Sequence, residues 1–154
     1  MRSLVVYVTH KGNTQRVAEA IAEVLREKGQ VQLLPAEEAP ASFGEVDLLL
    51  VGGPTEGHGM TPEQRAYLDR IEAGSLRGRA VAAFDTRLKW PRLLSGSAAD
   101  GTAERLEAAG ARVIGPQGSF LVSTEPALLD GELQRARAWA VTIAAAVEGT
   151  PVPA

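Results

Sequence analysis

Short apolar runs recur along this chain, and most of the stretches between them repeat their apolar residues at helical spacing. Leu4–Val8, Val31–Leu34, Asp47–Val51 and Ala80–Phe84 are four such runs. Val113-Ile114 with Phe120–Val122 makes a fifth, interrupted by Gly115-Pro116. The third is nearly continuous in Leu and Val, as a strand buried on both faces is. Val17, Ile21 and Leu25 share a helix face that ends at Lys28-Gly29, Ser97–Ala109 reads as a helix stopped at Gly110, and Leu133, Ala136, Ala140, Ile143 and Val147 mark a last amphipathic helix closed by Gly149 and Pro151. Thr61-Pro62-Glu63-Gln64 offers a capping Thr, Pro at the first helical position and Gln at the third, which is a helix start. Strands alternating with helices restrict the chain to a parallel sheet covered on both faces and joined by right-handed crossovers. Ligands of such sheets bind outside the carboxyl ends of the strands. The loops Thr9–Thr14, Gly52–Met60 and Asp85–Gly96 are therefore where chemistry is expected.

Composition narrows what that chemistry can be. With 154 residues, 45% hydrophobic and 23% charged, the chain has the make-up of one globular domain. We expect that domain over residues 1–150, with 151–154 a tail. There is no cysteine, which excludes disulfides, thiolate nucleophiles and Cys–metal sites, so redox chemistry would belong to a bound cofactor. His10 and His58 are the two histidines and have no evident metal-ligating company. A formal net charge of −3 argues against nucleic acid as the main partner. No apolar stretch is long enough for membrane insertion, and Arg2-Ser3 lead straight into the first strand without a leader, so a cytoplasmic location is expected.

The first loop is the most informative. Val5-Val6-Tyr7-Val8 ends at Thr9, crosses His10-Lys11-Gly12-Asn13-Thr14 and enters a helix. That arrangement aims backbone N–H groups, the hydroxyls of Thr9 and Thr14 and the Asn13 amide at one point, with the positive end of a helix dipole behind them. It is an anion site, most simply for a phosphate. The other reading is an ordinary strand-to-helix turn capped by Asn13 or Thr14. The chain has neither the G-x-x-x-x-G-K-[ST] of a triphosphate loop nor the G-x-G-x-x-G of a dinucleotide loop. A receiver-type phosphoacceptor domain is a poor match too, because Thr9 and Gly52 stand where carboxylates belong.

Residues 5–21 satisfy the flavodoxin signature at each specified position, through two aliphatics, Tyr7, Thr9, Gly12, Thr14, Ala18 and Ile21. Gly52-Gly53-Pro54-Thr55-Glu56-Gly57-His58-Gly59 resembles the family's second flavin loop, and Asp85-Thr86-Arg87 with Trp90 falls where its third belongs. By that resemblance the fold is a single-domain flavodoxin-like three-layer α/β sandwich with a five-stranded parallel sheet in the order 2-1-3-4-5, of the short-chain type. The implied cofactor is FMN. Its phosphate would be held by Thr9, His10, Lys11, Gly12, Asn13 and Thr14, and its ring by Pro54, Thr55, Glu56, Gly57, His58 and Gly59 on one side and Asp85, Thr86, Arg87 and Trp90 on the other. Glycines at 52, 53, 57 and 59 would let backbone approach the ring, and Trp90 would cover one face of it. Trp139 is expected in the core.

The chain departs from many flavodoxins in having no aromatic residue in its second loop and no acidic rim. Arg87, Lys89 and Arg92 outnumber Glu56 and Asp85, which implies an acidic docking surface on any redox partner protein. It also implies a less negative potential for the second one-electron reduction of a bound flavin. Three functions stay open at this stage: an FMN-binding electron-transfer protein, an FMN-dependent oxidoreductase acting on a quinone, nitro compound or protoporphyrinogen, and a flavin-free binding module on the same fold.

Overall fold

A computed structural model describes residues 1–90 and 96–149. The expected boundary at residue 150, the tail 151–154 and Arg92 lie outside the described residues. Six strands, β1 Arg2–Tyr7, β2 Gln30–Pro35, β3 Leu48–Pro54, β4 Ala80–Leu88, β5 Arg112–Val113 and β6 Gly118–Val122, form one sheet. Among the described residues, four α-helices cover it: α1 Asn13–Arg26, α2 Pro62–Arg70, α3 Ala98–Ala108 and α4 Glu132–Val147. All pairings are parallel, in the order 2-1-3-4-5, with β6 also on β4.

The expected fifth strand is the pair β5 and β6. β5 pairs with Ala80 and Val81 at the start of β4, and β6 with Phe84–Leu88 at its end. The Gly115-Pro116 break between them is fastened by Trp139, whose indole N–H donates to the Pro116 carbonyl at 2.8 Å. The Trp139 ring packs against Phe84 and Phe120, at 6.0 and 6.1 Å between centroids.

Period-two alternation in the central strands sorts the core into two layers. Val5, Leu48, Leu50, Ala82 and Phe84 face α1 and α4, meeting Val17, Ile21, Leu25, Ala140 and Ile143. Leu4, Val6, Leu49, Val51 and Val81 face the other way, against Tyr67, Leu68, Ala98 and Leu106 of α2 and α3. Both faces of β1 and β3 are thus sealed, which is why their sequences run apolar without alternation.

Two boundaries differ from the sequence reading in ways that matter for the site. β3 continues through Gly52-Gly53-Pro54, and β4 continues past Phe84 to Leu88. Gly52 and Gly53 therefore belong to the strand, not to the loop after it. A Cβ on Gly52 would lie 2.2 Å from the Phe84 ring, and one on Gly53 2.0 Å from the Gln64 side-chain oxygen. They are glycines because core side chains occupy the space. Similarly, α1 stops at Arg26 rather than Lys28, its last turn tightened by bonds from Glu27 N–H to Val24 O and Lys28 N–H to Leu25 O.

Candidate functional site

Strand order reverses between β1 and β3, and a cavity opens at their carboxyl ends. It is lined by Thr9, His10, Lys11, Asn13, Thr14, Pro54, Thr55, Glu56, Thr86 and Arg87, all of which the sequence reading singled out. Leu88, Val122 and Pro126 complete the lining. Gly12, Gly57, His58, Gly59, Asp85 and Trp90 do not line it.

The first loop leads into a helix start with no side-chain cap. Gly12 precedes α1 with φ +88°, a left-handed conformation that a side chain would strain, and Thr9 Oγ1 accepts its N–H at 2.9 Å. The first helical bond runs from Arg16 N–H to Gly12 O at 3.1 Å. The N–H groups of Asn13, Thr14 and Gln15 come before it and have no partner within the helix. The expected alternative, capping by Asn13 or Thr14, is not what the backbone adopts: Gly12 is the cap residue, no side chain caps the helix, and its first turn holds no acidic residue. Asn13 and Thr14 are nevertheless buried. Such an uncapped start, with the dipole uncompensated, suits an anion such as a phosphate.

Hydroxyls add to it. Thr14 Oγ1 and Thr86 Oγ1 lie 2.8 Å apart; one proton makes that bond, so the other hydroxyl proton is left to donate outward. Thr9, accepting through its oxygen, likewise keeps its proton. The Asn13 amide donates one N–H to the Pro126 carbonyl at 3.0 Å, pinning the turn after β6 across the loop. That turn is a small hairpin, held by bonds from Ser123 N–H to Ala127 O and Leu129 N–H to Leu121 O.

The second loop is a tight turn. Glu56 and Gly59 exchange both backbone bonds, at 2.9 and 3.1 Å, and Gly57 and His58 sit at φ +55° and +68°. Positive φ at both central positions is the type I′ geometry. His58 is the one non-glycine residue with positive φ among the described residues. Its carbonyl rests on Gly96, where a Cβ would come within 2.0 Å of it. Gly96 therefore lets the second and third loops touch, a role the sequence reading missed.

Asp85 is also not where a loop assignment puts it. It lies on β4, fully buried, and its carboxylate accepts four hydrogen bonds. The donors are the hydroxyls of Thr55 (3.1 Å), Ser97 (2.8 Å) and Ser119 (2.6 Å) and the N–H of Ala99 (3.0 Å). A buried carboxylate requires such partners, and the start of α3 places its dipole favourably. Asp85 is thus the knot between the second loop, β6 and α3 and has no oxygen left facing the cavity. Arg87 joins the network by donating Nε–H to Ser119 Oγ at 2.7 Å, and it braces the third loop by donating to the Trp90 carbonyl at 2.8 Å. Trp90 itself is 50% exposed.

His10 stands between two carboxylates. Nδ1 is 2.7 Å from Glu56 and Nε2 is 2.5 Å from Glu63 on the first turn of α2. Hydrogen bonds to Glu63 and Glu56 hold its pKa above the usual imidazole value, while the His10 bond draws Glu63 below the usual carboxylate value. In the sequence Glu63 carried only a helix-start signal; nothing there brought it to His10. The sequence began a helix at Ser97, but the bond from Ser97 to Asp85 was not legible.

A doubly wound sheet in the order 2-1-3-4-5, with an uncapped helix start at the switch point, defines the flavodoxin-like class of α/β proteins. The chain belongs to the flavodoxin family, whose model matches residues 5–139. A flavodoxin from the domain Archaea superimposes with a TM-score of 0.81 at 25% identity, covering 96% of this chain and 99% of that one. Oxidised Flavodoxin 1 from Bacillus cereus gives 0.79 at 21% identity, over 94% and 97% of the two chains. The rubredoxin oxygen:oxidoreductase of Desulfovibrio gigas gives 0.76 at 21% identity; this chain covers 36% of it. No curated protein sequence matches significantly.

Proposed function

We propose that this flavodoxin-family protein binds FMN and carries electrons between protein partners in the cytoplasm. The observation that carries this reading is the start of α1: three N–H groups with no partner within the helix, the hydroxyls of Thr9 and Thr14 beside them at the switch point, and no acidic residue in the turn. Thr9, Gly12 and Thr14 would hold the phosphate, with His10, Lys11 and Asn13 completing the loop; Pro54, Thr55, Glu56, Thr86 and Arg87 would flank the rest of the cofactor. Gly57, His58, Gly59 and Trp90, outside the enclosed part of the cavity, would meet the ring at its rim. Bound there, FMN supplies one- and two-electron redox chemistry, which the chain's own side chains cannot. Asp85 supports the reading only indirectly, by fixing Thr55 and Ser97.

The cavity lining carries Lys11 and Arg87, while Glu56 and Glu63 are both engaged by His10. A lining of this kind favours acidic docking partners and stabilises a fully reduced, anionic flavin. The test is direct. Purified protein is mixed with FMN, desalted and scanned; retained flavin absorbance supports the proposal, and a colourless protein favours a flavin-free module. Rapid NAD(P)H consumption with a quinone, by the loaded protein alone, favours an oxidoreductase instead.

A further inference from the structure

We infer that His10 is a positioning residue: as an imidazolium it straps the second loop and the start of α2 to the phosphate loop, and loss of one ring proton loosens the strap. The geometry makes the case. Both ring nitrogens lie within hydrogen-bond distance of a carboxylate oxygen, Nδ1 of Glu56 and Nε2 of Glu63. A neutral imidazole has one N–H and one lone pair, so it can donate to only one of them. The other contact would set a nitrogen lone pair against a carboxylate oxygen. The arrangement is satisfied only when both nitrogens carry protons.

The strap joins three segments that the sheet alone does not fix to one another. His10 belongs to the loop after β1, Glu56 opens the type I′ turn after β3, and Glu63 is fixed by α2. Beyond Glu56, the turn rests its His58 carbonyl on Gly96. The turn is therefore held at one end by His10 and at the other by the third loop. Among the described residues, Lys11 on the same loop and Arg87 across it line the same cavity, and Arg65 on α2 lies beside Gly59, all of them cationic. Burial opposes the imidazolium, and Glu63 and Glu56 are what keep it. With the strap closed, the second loop is set against the phosphate loop before a ligand arrives. With it open, a ligand must order that loop as it binds, and affinity falls.

The strap itself does not depend on the identity of the ligand; its effect on affinity rests on the FMN reading above. Two measurements separate them. The first follows the His10 ring signals by NMR in flavin-free protein, in a His58→Asn background that leaves His10 as the one histidine. Both ring nitrogens should be protonated at mildly acidic pH, and the midpoint should fall in Glu63→Gln and again in Glu56→Gln. A midpoint that neither substitution moves overturns the strap. The second measures the FMN dissociation constant against pH for the wild type and His10→Gln. Their ratio cancels the flavin phosphate's own ionisation, which falls near pH ~6. The wild-type advantage should be several-fold below the His10 midpoint and vanish above it. A ratio that does not change with pH overturns the coupling. Protein that takes up no FMN at any pH overturns the proposed function, and the NMR titration still decides the strap.

Discussion

Asp85 shows what one residue does for this site without touching a ligand. Four donors from three elements converge on it, and removing the carboxylate strands them in the interior. Asp85→Ala should cost on the order of 3 kcal/mol in urea unfolding. A change under about 0.5 kcal/mol would mean that water replaces the carboxylate at no cost. Arg87 acts at longer range. With its Nε–H held by Ser119, its charge is fixed near the cavity, and Arg87→Gln should lower the second one-electron potential of bound flavin. By Coulomb's law at interfacial dielectric the effect is on the order of 1 kcal/mol, or about 40 mV. A redox titration that finds no change, or a rise, would remove the basic rim from the account.

At the scale of elements, the turns decide more than the strands. Gly96 combines φ +73° with a carbonyl 2.0 Å from any Cβ, whereas Gly12 has φ +88° and open space around it. Gly96→Ala should therefore destabilise by about 2 kcal/mol or more and Gly12→Ala by only about 1 kcal/mol. Equal losses in thermal or urea unfolding would show that backbone strain, not contact between the loops, governs Gly96. This contrast also marks how far sequence reasoning reached. Helix positions, the Thr61 cap and the broken fifth strand were legible because periodicity and capping are local signals, whereas the strand order came from the resemblance carried by residues 5–21. The Thr9–Thr14 loop was legible because one segment supplies all of its parts. The ends of β3 and β4 were not, since Gly52 reads as a loop residue until Phe84 is seen to fill the space beside it. Nor were the Asp85 knot and the Glu56–His10–Glu63 strap, whose members lie on different loops and meet only in the folded sheet.

For the whole molecule, the strap predicts a pH dependence whose sign follows from the two shifts. His10 is raised, so its contribution to stability is complete below its ordinary value of 6.5 and is lost as pH rises through the higher folded value. Glu63 is lowered, so its contribution is complete above 4.5 and is lost as pH falls through the lower folded value. Both are complete between those limits. The groups are partly exposed, so the gain is modest, under about 1 kcal/mol. His10→Gln should flatten the alkaline side of the urea-midpoint profile; an unchanged profile would assign that slope to other groups. The larger claim concerns the end of the sheet as a whole, where α1 offers its unpartnered N–H groups to a phosphate. Calorimetric titration with FMN and with riboflavin, which differ by that phosphate alone, tests it most directly. FMN should bind at least about 100-fold more tightly, near 2.7 kcal/mol. Equal affinities for the two flavins would contradict the account.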